Sequence, residues 1–133
     1  MIIGFTCGAF DLLHPGHVSM LKDCKNKCDH LIVGLHTDPT LDRPEKNKPI
    51  QSMYERWMQL DACKYVDEII PYDTEHDLIN MMGTLDIHVR FVGSDHVFDE
   101  ITGQEYCDRQ GINIEYTRRL HDYSSSELRG RLK

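Results

Sequence analysis

Gly8-Ala9-Phe10-Asp11-Leu12-Leu13-His14-Pro15-Gly16-His17 is the stretch whose reading decides the fold of this chain. Ahead of it, residues 2–7 form a short apolar run that ends at Gly8 and reads as a buried strand. Behind it, residues 17–27 carry Val18, Leu21 and Cys24, followed by Cys28, at helical spacing with polar residues between them. A strand, a glycine-bearing turn and a helix in that order suit the binding of an anion. Gly8 and Gly16 allow close backbone approach, and the first turn of the helix offers amides and the positive end of its dipole. His14 and His17, three apart at the helix start, can turn both rings toward one point. Two imidazoles there can donate hydrogen bonds to a phosphoryl group while adding little fixed charge. Asp11 suits a mixed role, bracing the turn and facing the ligand.

Working outward, Leu31-Ile32-Val33-Gly34-Leu35 is a second apolar strand, and residues 37–50, with Pro39, Pro44 and Pro49, read as a polar loop. Ser52 with Glu55 predicts a capping box and a helix with Met53, Trp57 and Leu60 on one side. Glu68-Ile69-Ile70 sits in a strand over residues 66–71, and Thr74 with Asp77 caps a helix running to Met82. Val89-Arg90-Phe91-Val92 is a fourth strand, ending at Gly93. Residues 103–110 read as helical with Gly111 as the stop, and residues 112–116 as a fifth strand. Ser124 with Glu127 starts a last helix toward Arg131. Strands that are apolar throughout, rather than alternating, are covered on both faces. The pattern therefore predicts an α/β fold: one Rossmann-like, parallel, five-stranded sheet with helices on both faces, forming one domain over residues 1–133.

The bulk properties agree. The chain has 133 residues, is 40% hydrophobic and carries a net charge of −7, which argues against a nucleic-acid surface as its main role. Its apolar runs fall short of the roughly 18 residues of a membrane span, and its first residues read as a strand rather than a signal peptide. The five cysteines are an odd number without a secretory segment, which favours reduced thiols and a cytoplasmic setting. Cys24, Cys28 and His30 allow a metal site, but small buried side chains on one helix face explain them better.

The segment from Gly8 to His17 resembles the signature of the cytidylyltransferase family, whose fold is the Rossmann-like nucleotidyltransferase fold. Further matching stretches follow in order: Lys64-Tyr65-Val66-Asp67-Glu68-Ile69-Ile70-Pro71, then Val92-Gly93-Ser94-Asp95, then Arg119 with Tyr123-Ser124-Ser125-Ser126-Glu127-Leu128. The resemblance covers nearly the whole chain and is strongest to members that act on glycerol 3-phosphate. It implies transfer of CMP from CTP to a small phosphorylated alcohol, with release of pyrophosphate. It implies that His14, His17, Arg119 and one or both of Lys46 and Lys48 act on the reacting phosphates. Gly8, Ala9, Phe10, Asp11, Gly16, Asp95, Ser124, Ser125 and Ser126 would hold the nucleotide, and Asp38 and Arg56 the acceptor. It further implies Mg2+ arriving with the triphosphate and a homodimer. A phosphate monoester is already anionic near neutral pH, so alignment and charge stabilisation would carry such a reaction.

Departures from the family pattern fall mostly on the acceptor side. Ala9 stands where a threonine is frequent, Leu120 follows Arg119 in place of a threonine, and the aromatic residue that the family pattern expects near Thr74 is absent. An adenylyltransferase acting on a sugar 1-phosphate, of the heptose-phosphate type, shares the first motif and the serine ending. A non-catalytic nucleotide-binding domain would keep the fold without the chemistry.

Overall fold

Strands without polar alternation need cover on both faces, and the chain supplies it. A computed structural model describes residues 1–93, 101–117 and 130–132. The elements are β1 (Ile3–Gly8), α1 (Pro15–Asn26), β2 (His30–His36), a 3-10 turn (Pro39–Leu41), α2 (Met53–Asp61), β3 (Glu68–Tyr72), α3 (Glu75–Thr84), β4 (Val89–Gly93), α4 (Gln104–Gln110) and β5 (Asn113–Thr117). All strands are parallel and lie in one sheet of order β3-β2-β1-β4-β5. This is the α/β fold with a five-stranded parallel sheet that the sequence predicts.

On one face, Leu21 and Cys24 of α1 and Leu60 of α2 pack on Leu31, Val33, Leu35, Val89 and Phe91. On the other, Leu78 and Met82 of α3 and Cys107 of α4 pack on Phe5, Ile32 and Tyr72. Each such large apolar side chain contributes roughly 1.5–3 kcal/mol by leaving water. Gly4 lets the first layer close: a Cβ there would lie 2.6 Å from the Phe91 ring and 2.9 Å from Cys28 Sγ.

The strand order reverses between β1 and β4. From β1 the chain adds β2 and β3 outward, then returns past β1 to lay β4 on its other side. Open parallel sheets bind ligands in the crevice beyond the strand ends at this reversal. The segment from Gly8 to His17 leaves β1 at that point.

Local differences from the sequence reading have physical causes. Helix α1 begins at Pro15 with His14 as N-cap, two residues ahead of the predicted start, because proline tolerates the first helical position. The polar loop contains the 3-10 turn, capped by the Asp38 side chain through Thr40 N. Both capping boxes, Ser52/Glu55 and Thr74/Asp77, form, and Gly111 ends α4 in the left-handed region. Trp57, expected on one side of α2 with Met53 and Leu60, is 40% exposed while Leu60 is buried, and Arg56 is the other buried residue of the helix. The last predicted helix lies largely outside the described residues; residues 130–131 are helical.

The Cys24 and Cys28 thiols are raised by burial, Cys24 to about 12, so both stay protonated at neutral pH. Cys28 Sγ meets Cys24 O at 3.4 Å and Cys24 Sγ meets Met20 Sδ at 3.5 Å. They pack as small apolar groups. Among the described residues no group of three or more His, Cys, Asp or Glu side chains is placed to hold a metal ion.

Candidate functional site

The turn after β1 is held in an unusual backbone shape. Phe10 has φ 48° and Leu12 has φ 52°, a left-handed region that costs bulky residues of the order of 1–3 kcal/mol each. Neighbouring bonds hold the shape. Asp11 is buried, and its carboxylate accepts from Ile50 N at 2.8 Å and Gln51 N at 2.9 Å. Leu12 N donates to Gln51 Oε1 at 2.7 Å. Asp11 thus supplies the bracing half of its expected mixed role. The partner is the segment leading into α2, so the residues just ahead of that helix fix the first loop.

Arg56 completes this brace. Its side chain, 2% exposed, donates from Nε to Gln51 O (3.2 Å), from Nη1 to Ala9 O (3.1 Å) and His36 O (2.6 Å), and from Nη2 to Thr37 O (2.7 Å). The sequence reading places Arg56 on the acceptor. In the structure its guanidinium instead joins the ends of β1 and β2 to α2, because three carbonyls at these strand ends and Gln51 O ahead of α2 converge on one planar set of donors.

His14 and His17 meet. Their ring centroids are 3.9 Å apart, with planes tilted by 25°. Gly16 N donates to His14 Nδ1 at 3.0 Å, and His14 N donates to His17 Nδ1 at 3.3 Å. The two side chains form a reciprocal capping box, a role usually filled by Ser or Thr with Glu or Gln. Part of the expected amide surface is therefore taken: Gly16 N and His14 N serve the imidazoles. With both Nδ1 atoms accepting, each neutral ring carries its proton on Nε2. The side-chain donors at this helix end are then imidazole N–H groups, with His14 Nε2 buried. Burial lowers the His17 pKa to about 4, with neighbouring His14 adding to the shift and Asp11 opposing it. His17 is neutral near pH 7. Phe10 covers it from one side, centroid to centroid 5.4 Å.

The loop after β2 is anchored at both ends. Thr37 N donates to Tyr72 O at 2.9 Å, Glu75 N donates to Asp42 Oδ2 at 2.7 Å, and Arg43 pairs with Glu75 at 2.8 Å. Asp11 holds the far end at Ile50. Lys46 and Lys48 lie exposed on the arch between these anchors. Asp38 accepts from Thr40 N at 2.9 Å and Thr40 Oγ1 at 2.6 Å. Those bonds hold its carboxyl below the usual range, with Lys48 and His36 adding to the effect. Lys48 is thus the loop lysine within electrostatic reach of Asp38.

Of the remaining sequence candidates, Gly8 ends β1 and Ala9 follows it at the strand reversal, and Gly16 is buried in the first turn of α1. Asp95, Arg119, Ser124, Ser125 and Ser126 lie outside the described residues. Two residues of this region are absent from the site candidates that the sequence offers. Gln51 links three segments through its amide, carbonyl and side chain; nothing in its sequence context marks it. Arg90, in β4 and 3% exposed, could have been noticed as a lone charge in an apolar strand.

Comparison with known proteins follows the geometry. A family model described as cytidylyltransferase-like matches residues 5–131. The bifunctional protein HldE of Nitrobacter winogradskyi is 35% identical over 127 residues, which is 95% of this chain and 26% of that protein. The chain therefore spans about a quarter of the length of that relative. An FAD synthase of Thermococcus sibiricus is 34% identical over 120 residues, 90% of this chain and 81% of the synthase. A solved lipopolysaccharide core biosynthesis protein from Thermoplasma volcanium has a TM-score of 0.72 at 30% identity, covering 93% of this chain and 99% of that one.

Proposed function

This chain belongs to the cytidylyltransferase-like family, and from that premise we propose that it transfers a nucleoside monophosphate from a nucleoside triphosphate to a small phosphorylated acceptor. The observation that carries the reading is the mutual cap of His14 and His17 at the start of α1, beside the strand reversal. Two rings with consumed Nδ1 atoms present Nε2–H donors where a polyphosphate would meet the helix dipole. An oxygen of the acceptor phosphate attacks the α-phosphorus, the bond to the β-phosphate oxygen breaks, and pyrophosphate leaves. The acceptor is ionised near neutral pH, so the step needs no protein nucleophile. The imidazoles donate to the phosphoryl oxygens on which charge grows. Lys48, near Asp38, and Lys46 beside it supply mobile positive charge over the same edge.

Mg2+ belongs to this reading as an ion carried in by the triphosphate, where it would neutralise phosphate charge. The donor set fits it in that form. The described residues near the histidines offer N–H donors rather than a carboxylate cage, so phosphate oxygens and water would be its main ligands. A homodimer goes with the same reading, and sedimentation of the whole protein tests it.

CTP with a phosphorylated alcohol such as glycerol 3-phosphate is the first donor and acceptor pair, on the motif from Gly8 to His17 and the family match. A second reading, ATP as donor with a sugar phosphate or similar acceptor, draws on the FAD synthase relative, since FAD contains an adenylyl group. The test is pyrophosphate release across a panel of CTP, ATP, GTP and UTP against glycerol 3-phosphate, sugar 1-phosphates and FMN. Turnover with CTP alone supports the first reading and turnover with ATP alone the second. No release with any pair would sink both.

A further inference from the structure

The mechanism above leaves Arg90 unused. This residue is the second of β4 and is 3% exposed. Its register partner on β1 is Phe5, yet its Nη2 lies 3.7 Å from Sγ of Cys7, two residues farther along β1. The side chain therefore leans toward the carboxyl ends of the strands, the edge where the sheet order reverses. Nη1 donates to Thr102 O in the segment entering α4. Gly103, φ 83°, makes room for it, since a Cβ there would lie 3.3 Å from Nη1 and 2.4 Å from Met82 Cε.

Among the described residues no carboxylate pairs with this guanidinium, and its Nε has no hydrogen-bond acceptor. Its electrostatic neighbours Tyr72 and Cys107 are acids that burial keeps neutral. A buried cation without a counter-ion is costly, and water cannot screen it. It persists where something else gains from the charge. An anionic ligand bound at this fold edge would gain from it. Arg90 lies on the α3 and α4 face of the sheet, whereas α1 and its histidines lie on the other. Together they place positive potential on both sides of the same edge.

We propose that Arg90 is a positioning residue for the anionic ligand: its uncompensated charge, held just below the strand reversal, strengthens binding of a phosphate group there without touching it. The inference rests on the phosphate-ligand reading above and adds a specificity determinant to it. The shared chemistry is a phosphate dianion, which either the triphosphate donor or the phosphorylated acceptor could bring.

The experiment is calorimetric binding of two probes to the whole protein: inorganic tripolyphosphate for the donor, and glycerol 3-phosphate for the acceptor. Arg90→Gln and Arg90→Met remove the charge, one keeping polarity and the other only volume, and Arg90→Lys keeps the charge. Both neutral variants are expected to weaken at least one probe by roughly tenfold or more, the effect of a unit charge across about 10 Å at an effective dielectric near 20. Their melting temperatures should stay near or above that of the wild type, since an unpaired buried charge has gone. Arg90→Lys should bind within about threefold of the wild type. The probe that weakens more identifies the phosphate that feels the charge. Equal loss in all three variants, unchanged binding in the neutral pair, failure of both neutral variants to fold, or a wild type that binds neither probe would overturn the proposal. Pyrophosphate release by the wild type judges the transferase reading separately, so either idea can fall without the other.

Discussion

His14 and His17 cap each other. The Nδ1 atom of each ring accepts a backbone amide of the same helix start, at 3.0 Å from Gly16 and 3.3 Å from His14, and the rings stack at 3.9 Å. The helix terminus and the proposed phosphate donors are therefore one object. Any change that loosens the cap also changes which ring nitrogen carries the proton.

That coupling separates structure from chemistry by substitution. His14→Ala should cost about 1 kcal/mol of stability, the usual worth of an N-cap acceptor, and on the order of 10²–10³ in turnover, the usual worth of a well-placed donor. His14→Asn supplies an amide oxygen to cap the helix. It should regain most of the stability and little of the turnover. Thermal melting and pyrophosphate release check the two halves. An Asn variant with near wild-type turnover would mean that His14 only caps.

Acid should destabilise the protein through His17. Its folded pKa, about 4, lies below the value of roughly 6.5 of an unfolded histidine. Between these values the unfolded chain binds the proton and the folded chain does not, so stability rises with pH through that window. Below pH 4 both states are protonated and this contribution flattens; above 6.5 both are neutral. Melting curves from pH 4 to 7 should show the slope, and His17→Asn should reduce it. An unchanged slope in the variant would assign the acid sensitivity to other groups. Activity should show no inflection from His17 between pH 5.5 and 8.

Asp11→Asn tests whether the first loop is held from α2. The native carboxylate accepts two amides, at 2.8 and 2.9 Å. An asparagine offers one oxygen and turns a donor toward the other amide, leaving it unsatisfied at a cost of roughly 1–3 kcal/mol. The release should show locally as well as globally. Limited proteolysis is expected to cut residues 42–50 faster than in the wild type. Equal cutting rates would mean that this loop is anchored chiefly at Arg43 and Asp42.

How far the sequence carries the fold depends on the range of the forces involved. Ser52 with Glu55, Thr74 with Asp77 and the Gly111 stop are contacts within one turn, and each is where the local pattern puts it. The strand order is not local: nothing between Thr84 and Val89 states that β4 will lie beside β1 rather than β3. The start of α1 reads two residues late, at residue 17, and not as a histidine cap, since histidine is outside the usual capping set. The histidine pairing followed from a spacing of three. The brace formed by Asp11, Gln51 and Arg56 did not, because its partners stand about 40 residues apart and depend on how α2 approaches β1. Arg56 shows the same limit from the other side, since helical position alone cannot tell a guanidinium aimed at a ligand from one aimed at four carbonyls.

Arg56 gives the sharpest contrast with Arg90. Both guanidiniums are buried, but Arg56 acts through the shape of its donors, which reach Ala9, His36, Thr37 and Gln51 at once, whereas Arg90 is proposed to act through its charge. An ammonium carries the same charge but lacks the planar fork. Arg56→Lys should therefore fail where Arg90→Lys succeeds. It is expected to lose about 2–4 kcal/mol in urea unfolding, from carbonyls left without donors and a cation that cannot satisfy them together. Arg56→Met should lose a similar amount, since the buried charge goes but the carbonyls remain unpaired. Near wild-type unfolding in Arg56→Lys would show that charge, not geometry, is what the strand ends require.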